Sequence, residues 1–281
     1  MKRTKSFENN EPILYLVATP IGNTKEISSR ALEILNSVDY IASEDTRTTA
    51  SLLHLYGISK PSIACHEHNE NEASEKIVSL IKEGHCIAMT SDAGYPGISD
   101  PGARLVKKCI ENDIPVSIVN GANAFIPALV GSGLDTTHFY FHGFLNAKSS
   151  IRKKELEELK SLTMTLIFYE SPHRINETLN DLLSVFGPRE VSIAREITKL
   201  HEEYIRGKLD ELVTIDPTTL KGEMVIVVEG NKEVKVLTEE DIKNLLKQEL
   251  SEGKSLKDAI KGVSQAYSLK KNIVYDIATK L

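Results

Sequence analysis

The sequence predicts a protein of two α/β domains with mostly parallel sheets, followed by a small helical module. Three observations predict this architecture. The 281 residues suffice for two domains at roughly 150 residues each. Short apolar, β-rich runs alternate with segments whose apolar residues recur at helical spacing, which is typical of βαβ units. Beyond residue 237, only helical patterns remain.

The first domain is predicted over 12–146, after a charged, polar leader over 1–11 that we expect to be disordered. Ser28 or Ser29 can cap its first helix, because a serine side chain accepts hydrogen bonds from the first turn. The predicted strands are 13–19, 40–43, 86–90, 116–119 and 139–144. The predicted helices are 30–38, 75–82, 103–111 and 123–130.

The second α/β domain is predicted over 147–230, a linker over 231–237, and the helical module over 238–281. Thr238 and Ser255 are suitable caps for two helices of this module. The module resembles a helix-turn-helix; the alternative is a helical cap packed on the core. The second domain has predicted strands at 165–169, 191–195, 203–206 and 224–228, and helices at 175–186 and 209–214.

Composition narrows the functional classes. The formal net charge of -6 argues against nucleic-acid binding driven by bulk charge, although a local basic patch remains compatible with RNA. No apolar run approaches the ~20 residues of a membrane helix, and no secretory signal is recognisable. The three cysteines are far apart and include no C-x-x-C pair. We therefore expect a cytoplasmic protein with reduced thiols and no metal site.

Glycine and proline cluster at four places, 19–23, 91–102, 120–124 and 221–224. Neither a P-loop nor a G-x-G-x-x-G turn occurs. Three clusters follow strands of the first domain, and loops at the carboxyl ends of parallel strands form ligand crevices. The fourth cluster precedes a strand of the second domain. The pattern predicts a ligand held between the domains; each cluster taken alone is equally compatible with an ordinary tight turn.

Six motifs then occur in one order: TPIGN at 19–23, SEDTR at 43–47, SDAG at 91–94 with DPG at 100–102, FYES at 168–171 with HR at 173–174, ARE at 194–196 with Lys199, and KGEM at 221–224. Together they closely resemble the bacterial 16S ribosomal RNA cytidine 2′-O-methyltransferases, within the tetrapyrrole methylase-like superfamily. The resemblance extends from Leu14 to Gly230.

This resemblance implies a class III methyltransferase fold and a homodimer with S-adenosylmethionine in the inter-domain cleft. It also implies methylation of a cytidine ribose 2′-oxygen in the decoding region of the small subunit, with an RNA-binding helical tail. One departure is visible. The family usually carries a proline on each side of Gly121, where this chain has Asn120 and Ala122. We expect the loss of both prolines to loosen the cofactor pocket.

The loops and the resemblance together give a hypothesis for the cofactor site. Backbone groups of the glycine loops would bind the polar parts of the cofactor, and apolar side chains would contact its adenosine. For Met224 the alternative is an ordinary core position. The residues assigned to this site are Pro20, Ser91, Asp92, Gly94, Gly121, Ala122, Tyr169, Gly222 and Met224.

Asp100 and Glu170 are the candidate catalytic bases, and the sequence does not choose between them. A helix cap or an ion pair is the alternative for each carboxylate. Arginine and lysine suit phosphate contacts, and His66 fits an RNA-contacting loop better than a metal site. The basic run near 150 is either a phosphate contact or a solvated helix start. The residues assigned to the substrate are Glu44, Asp45, Arg47, His66, Asn69, Arg174, Lys199, Lys148, Arg152, Lys153 and Lys154.

Two other functions remain open at this point. One is methylation of a tetrapyrrole carbon, for which related enzymes carry a G-x-G-P-G-D turn where this chain has TPIGN. The other is a non-catalytic RNA-binding protein, which would not need four ligand-type loops.

Overall fold

The computed structural model describes residues 11–232, 238–267 and 269–281, without the side chain of Gln265. Two compact units divide the chain, one up to Asn231 and the other from Lys232. Nearly all of the predicted leader and most of the predicted linker lie outside the described residues.

The first sheet contains five parallel strands in the order β3-β2-β4-β1-β5. Both of its faces are covered by helices, so its central strand β4 is buried at every position. The strands are β1 (Leu14–Val17), β2 (Tyr40–Ser43), β3 (Ser62–Ala64), β4 (Ile87–Thr90) and β5 (Val116–Val119). The helices are α1 (Ser29–Ser37), α2 (Thr46–Leu55), α3 (Glu70–Lys82), α4 (Ala103–Glu111) and α5 (Phe125–Ser132).

Local sequence explains where several of these elements begin. Ser28 Oγ accepts from the backbone N–H of Ala31 at 3.1 Å and so caps α1. Asp45 caps α2 in the same way, by accepting from Arg47 N at 2.8 Å. The sequence patterns predict neither α2 nor β3. Polar threonines dominate the first turns of α2, and a three-residue strand is too short to show an alternating pattern.

The second sheet has the order β6-β7-β10-β8-β9, and only β6 and β7 pair in parallel. Mostly parallel pairing is therefore wrong for this sheet. The last strand, β10, returns between β7 and β8 and runs antiparallel to both, while β8 and β9 form a hairpin. The strands are β6 (Phe139–Phe144), β7 (Thr165–Glu170), β8 (Glu190–Arg195), β9 (Glu203–Lys208) and β10 (Met224–Val228). The helices are α6 (Ser149–Leu159), α7 (Ile175–Phe186) and α8 (Leu209–Leu212).

Two hydrophobic cores enclose the second sheet. One face packs under α6 and α7, around Phe168 and Leu182. The other face packs against α5, where Ala128 and Leu129 meet Ile167 and other strand residues. Helix α5 directly follows β5 of the first sheet in the chain but packs against the second sheet. It therefore connects the two sheets. The sequence prediction places β6 with the first domain, whereas β6 pairs with β7 of the second sheet.

The carboxyl-terminal unit consists of α9 (Glu239–Ser251), α10 (Leu256–Ala266) and α11 (Lys271–Ala278) around a core of its own. Thr238 forms a capping box with Asp241, and Ser255 Oγ accepts from Asp258 N at 3.2 Å. Within the three described stretches of the chain, no helix is both long and apolar enough to cross a lipid bilayer.

Candidate cofactor and active site

The loops at the carboxyl edge of the first sheet are tied to one another. Thr19 and Gly94 exchange backbone hydrogen bonds of 2.9 and 3.0 Å, which join the loops after β1 and β4. Asp92 Oδ1 accepts from Asp45 N at 3.4 Å, which adds the loop after β2. Three glycine- or carboxylate-containing loops therefore form a single surface.

The loop after β5 is attached to the same surface through Tyr95. The Tyr95 hydroxyl accepts from Gly121 N at 3.1 Å and lies 3.4 Å from Asn120 Oδ1. A side chain at Gly121 would place its Cβ only 2.9 Å from the Cβ of Ala18, so this position requires glycine. Ser28 Oγ also donates to the Asn120 carbonyl at 3.3 Å. These bonds hold the loop that carries Asn120 and Gly121 in place.

A cavity of about 390 Å³ opens between these loops and the second sheet. Its wall is mainly apolar and includes residues from the loops after β1, β4, β5 and β7, and from β10. The lining residues are Ile21, Ala93, Gly94, Tyr95, Ile98, Ser99, Asp100, Asn123, Ala124, Phe125, Phe144, Tyr169, Glu170, Ser171, Pro172, Ile197, Glu223, Met224 and Val225.

One wall of the cavity is aromatic. The ring of Tyr169 lies 5.5 Å from that of Phe144 and 5.0 Å from that of Phe141, both edge-on. Burial, with a smaller effect of the Asp100 charge, raises the pKa of Tyr169 to about 12. Tyr169 is therefore an uncharged phenol at neutral pH, and the wall suits a flat aromatic ligand group.

Asp100 is a second titratable group of the cavity whose pKa this environment raises. Burial, and then the charges of Glu44 and Asp92, raise the pKa of Asp100 to about 6, although a hydrogen bond from Ser91 opposes the shift. A carboxyl group in a cavity with a pKa near neutrality is suited to taking up a proton.

Glu170 also lines the cavity, but both of its oxygens are engaged. Oε2 accepts from the Thr178 hydroxyl at 2.6 Å, and Oε1 accepts from Ser171 N at 2.8 Å. Arg174 lies 3.1 Å away and donates to the Leu145 carbonyl at 2.7 Å. Glu170 and Arg174 thus hold the loop after β7.

A family model described as Tetrapyrrole (Corrin/Porphyrin) Methylases matches residues 13–213. The chain belongs to the tetrapyrrole methylase family. Three relatives named "Ribosomal RNA small subunit methyltransferase I" match nearly their full lengths. The protein of Bacillus subtilis (strain 168) is 42% identical, with 98% of each chain covered. The protein of Halalkalibacterium halodurans is 43% identical (99% of each chain), and that of Vibrio cholerae serotype O1 is 45% identical (98% and 97%). The resemblance read from the ordered motifs is confirmed.

Two solved structures show the same tetrapyrrole methylase fold. A crystal structure of uroporphyrin-III-C-methyltransferase from Thermus thermophilus superposes with a TM-score of 0.56 at 17% identity, and covers 77% of this chain and 94% of its own. The methyltransferase CobJ superposes with a TM-score of 0.60 at 16% identity, with 78% and 95% covered. At these identities the likeness concerns the fold alone.

Three of the residues assigned to the cofactor line the cavity: Gly94, Tyr169 and Met224. The others lie beside it. The Ser91 hydroxyl donates to the Gly94 carbonyl at 3.0 Å and so shapes the loop, and Asp92 is exposed. Pro20 precedes Ile21 of the lining, Gly121 and Ala122 precede Asn123, and Gly222 precedes Glu223.

The sequence predictions miss several cavity residues of this family member. Phe144, Ile197 and Glu223 come from three separate segments and reach the cavity only because the second sheet meets the first. Phe125 follows the third glycine cluster directly. The aromatic residues at 139–144, which lie close to Phe125, could have indicated this wall from the sequence, because aromatic side chains commonly line ligand sites.

Five of the residues assigned to the substrate lie just after β2 and β3, at the same sheet edge: Glu44, Asp45, Arg47, His66 and Asn69. Arg47 is exposed, and its hydrogen bonds to Asp45 lower the pKa of that carboxyl to about 2. Burial, then Asp92 and Glu67, raise the pKa of Glu44. His66 N donates to Asn69 Oδ1 at 2.8 Å, which fixes the turn before α3. No cluster of three metal-binding side chains occurs in the described part of the chain.

The basic residues at the start of α6 differ in their exposure to solvent. Lys148 and Lys154 are exposed and remain available to a phosphate, whereas Lys153 is exposed but its Nζ lies 3.3 Å from Asp181 Oδ1. The assignment of Arg152 to the substrate is wrong, because its side chain is 0% exposed and bonds Asp181 at 2.8 Å through Nε and 2.7 Å through Nη2. Arg152 lies on the side of α6 that faces the core.

Proposed function

We propose that this protein is an S-adenosylmethionine-dependent ribosomal RNA methyltransferase that modifies the ribose 2′-oxygen of a cytidine in the decoding region of 16S RNA. The names of relatives at 42–45% identity support an RNA substrate. The observation that carries the proposal is the cavity between the sheets, with Asp100 in its wall.

The residues of the cavity fit this cofactor. A volume of about 390 Å³ lies within the usual range for small-molecule sites. Tyr169 and Met224 offer an apolar surface for adenosine, and Asp100 supplies a carboxylate suited to a positively charged ligand. Gly94 has a φ of 77°, a left-handed backbone that glycine adopts without strain. When bound, S-adenosylmethionine would supply a methyl group already activated by its positively charged sulfur.

Asp100 would act on the acceptor. A ribose hydroxyl is a weak acid and a poor nucleophile, so removal of its proton assists attack by the oxygen. The Asp100 carboxylate would accept this proton as the oxygen forms its bond to the methyl carbon, while the bond from that carbon to sulfur breaks and a neutral thioether departs. Glu170 is unsuited to this role because Thr178, Ser171 and Arg174 occupy its oxygens. The surrounding loops would hold the two reactants in line, which is the larger contribution to rate.

RNA would be held by cations outside the cavity. Lys148 and Lys154 are exposed at the start of α6, together with Lys153, which also pairs with Asp181, and Arg47 is exposed at the sheet edge. These side chains can contact phosphates without reading sequence. We further propose that the helical unit 238–281 contributes to RNA binding, and that the enzyme works in the cytoplasm on small subunits.

Mapping the modified nucleotide tests the proposal. Purified small subunits are incubated with the protein and radiolabelled S-adenosylmethionine, and the label is located by nuclease digestion. We expect the label on one cytidine ribose, together with a rise in the protein's melting temperature with the unlabelled cofactor, because a ligand of the native state stabilises it.

Label on a base would contradict the proposed chemistry. Label on an added porphyrinogen, with none on RNA, would favour tetrapyrrole methylation. RNA binding without any shift in melting temperature would favour a non-catalytic binding protein.

We also propose that the protein is a homodimer. Ile118 on the edge strand β5 is 46% exposed, and Val130 on α5 is 67% exposed. Phe139 and Tyr140 are partly exposed on β6, the edge strand of the second sheet. Apolar side chains on unpaired edges favour association. Sedimentation equilibrium should give twice the chain mass of 31.2 kDa, and Val130→Lys should shift it toward the monomer. A measured mass of one chain for the wild type would contradict this proposal.

A further inference from the structure

Lys199 is held by two carboxylates. Its Nζ lies 2.9 Å from Glu196 Oε1 and 2.9 Å from Glu223 Oε2. Partial burial alone would lower the pKa of Lys199, but its hydrogen bonds to Glu223 and Glu196 outweigh this effect and raise it. Its charge is thus already neutralised within the protein, in contrast to the phosphate contact assigned to it from the sequence.

The aliphatic part of the Lys199 side chain, its stem, extends from the second sheet to the loop after β1 of the first sheet. A Cβ built on Gly22 would lie 2.5 Å from Cγ and 2.8 Å from Cε of Lys199. The stem therefore packs directly on the backbone of the loop after β1, next to Ile21 of the cavity lining. Any side chain at residue 22 would displace it. The φ of Gly22, 150°, is also one that other residues rarely adopt.

The same group of residues fixes a strained loop on the second sheet. Glu196 Oε1 accepts from Glu223 N at 3.1 Å, and Glu196 N donates to the Glu223 carbonyl at 3.0 Å. A side chain at Gly222 would overlap the Glu196 carboxylate. Glu196 and Thr198 have φ values of 50° and 68°, which persist only where surrounding contacts enforce them.

Two of the cavity-lining residues depend on this arrangement. Ile197 lies inside the strained loop, between Glu196 and Thr198, and Glu223 is bonded to Lys199 itself. Loss of the lysine charge would free the Glu223 carboxylate and remove one of the contacts that hold the Glu196 carboxylate, while the bonds from the Glu223 backbone to Glu196 would remain. The far side of the same stem touches the loop after β1, so both walls of the cavity would lose a support.

We propose that Lys199 is a positioning residue that braces the cofactor cavity, by fastening Glu196 and Glu223 of the second sheet against Gly22 of the first. This inference rests on the proposed cofactor function of the cavity. Lys199 touches neither reacting atom in this proposal. It sets the shape of the walls into which the cofactor fits.

Four variants of the full chain test whether Lys199 positions the cavity walls in this way. Lys199→Met keeps a stem and removes the charge, Lys199→Arg keeps a charge, and Gly22→Ala adds a methyl group where the stem lies. Lys107→Met is the matched control, because Lys107 is an exposed lysine on α4. Affinity for S-adenosylmethionine is measured by calorimetry, amide hydrogen exchange is followed over 21–23 and 196–202, and KM values are measured for cofactor and RNA.

We expect Lys199→Met and Gly22→Ala each to weaken cofactor binding on the order of tenfold and to speed exchange in both segments. KM for the cofactor should rise while KM for RNA stays unchanged. Lys199→Arg should recover part of the affinity, and Lys107→Met should match the wild type. A general loss of folding in Lys199→Met would not explain recovery of cofactor affinity in Lys199→Arg. The melting temperature of each variant measures folding separately.

Three results would overturn the proposed positioning role of Lys199. One is wild-type cofactor affinity in Lys199→Met. Another is a defect confined to KM for RNA with a weaker salt dependence, which would restore the phosphate assignment. The third is unchanged hydrogen exchange in both segments, which decides the matter even if the wild-type protein binds no cofactor. Failure of the wild type to bind would count against the proposed function instead.

Discussion

Replacing Asp100 with asparagine should lower the rate of RNA methylation by about 10²–10⁴-fold. Asparagine has nearly the size of aspartate but cannot accept the proton of the ribose hydroxyl. The measurement is the single-turnover rate with labelled S-adenosylmethionine and small subunits. Glu111→Gln, a carboxylate-to-amide change at an exposed site on α4, is the control and should react at the wild-type rate. A rate for Asp100→Asn within threefold of wild type would remove Asp100 as the base.

The pH dependence of this rate should follow the same carboxyl group. The pKa of Asp100 is about 6, so the wild-type rate should rise with pH through this value and level off above it. Asp100→Asn should lose this inflection and keep only a slow, flat background.

The stability of the variant provides an independent check of the pKa. Because the pKa of Asp100 is raised above the ordinary 3.8 on folding, the folded protein disfavours the ionised form. The resulting stability is present below the unfolded pKa and is lost as pH rises through about 6. Asp100→Asn should therefore raise the free energy of unfolding at pH 7, by about 1 kcal/mol after allowance for solvent screening, with no gain below pH 4. Urea unfolding at the two pH values measures this difference.

Replacing Arg152 with methionine should lower the free energy of unfolding by about 1–3 kcal/mol. The guanidinium is fully buried and pairs with Asp181, whose side chain is only 8% exposed. It also donates to the carbonyls of Asn146 and Ala147 at 3.3 and 3.2 Å. Methionine fills much of the space but leaves both carbonyls without these donors. The Asp181 carboxylate keeps Ser149 Oγ at 2.8 Å and Lys153 Nζ at 3.3 Å. Urea unfolding with a fixed slope gives the loss directly.

Two further variants separate the ion pair from general packing. Lys154→Met, on the exposed side of the same helix, should change stability by less than about 0.5 kcal/mol. Arg152→Met combined with Asp181→Leu should recover part of the loss, because the buried carboxylate that loses its arginine is then absent as well. A double variant as unstable as the sum of the two single changes would contradict the buried-pair explanation.

Hydrophobic spacing was sufficient to predict most elements of the fold, including β2, α4, β5, α7 and β10 at their observed bounds. Strand direction was not predictable in the second half. The alternation of β7, α7 and β8 favours a parallel pair, and nothing local in β10 indicates that it inserts between them. The burial of Arg152 had a visible signal, because Leu156 and Leu159 follow at helical spacing on the same face.

Part of the candidate site was predictable from the sequence motifs. Gly94, Tyr169 and Met224 lie in recognisable motifs, and all three line the cavity. Phe144, Ile197 and Glu223 required the contact between the two sheets, which no local pattern records. The role of Lys199 shows the same limit, since a lysine in a motif does not reveal that two carboxylates and a glycine backbone already surround it.

The packing of α5 against β8 and β10 determines how the cavity can admit a ligand. Ala128 and Leu129 are sealed into the second sheet's core, so swinging the sheets apart would expose that core to water. A hinge that large would be costly, at roughly 25 cal/mol for each Å² of apolar surface uncovered. Passage of a small molecule must therefore depend on short excursions of the surrounding loops, and the rate of product release should reflect loop motion and not domain opening.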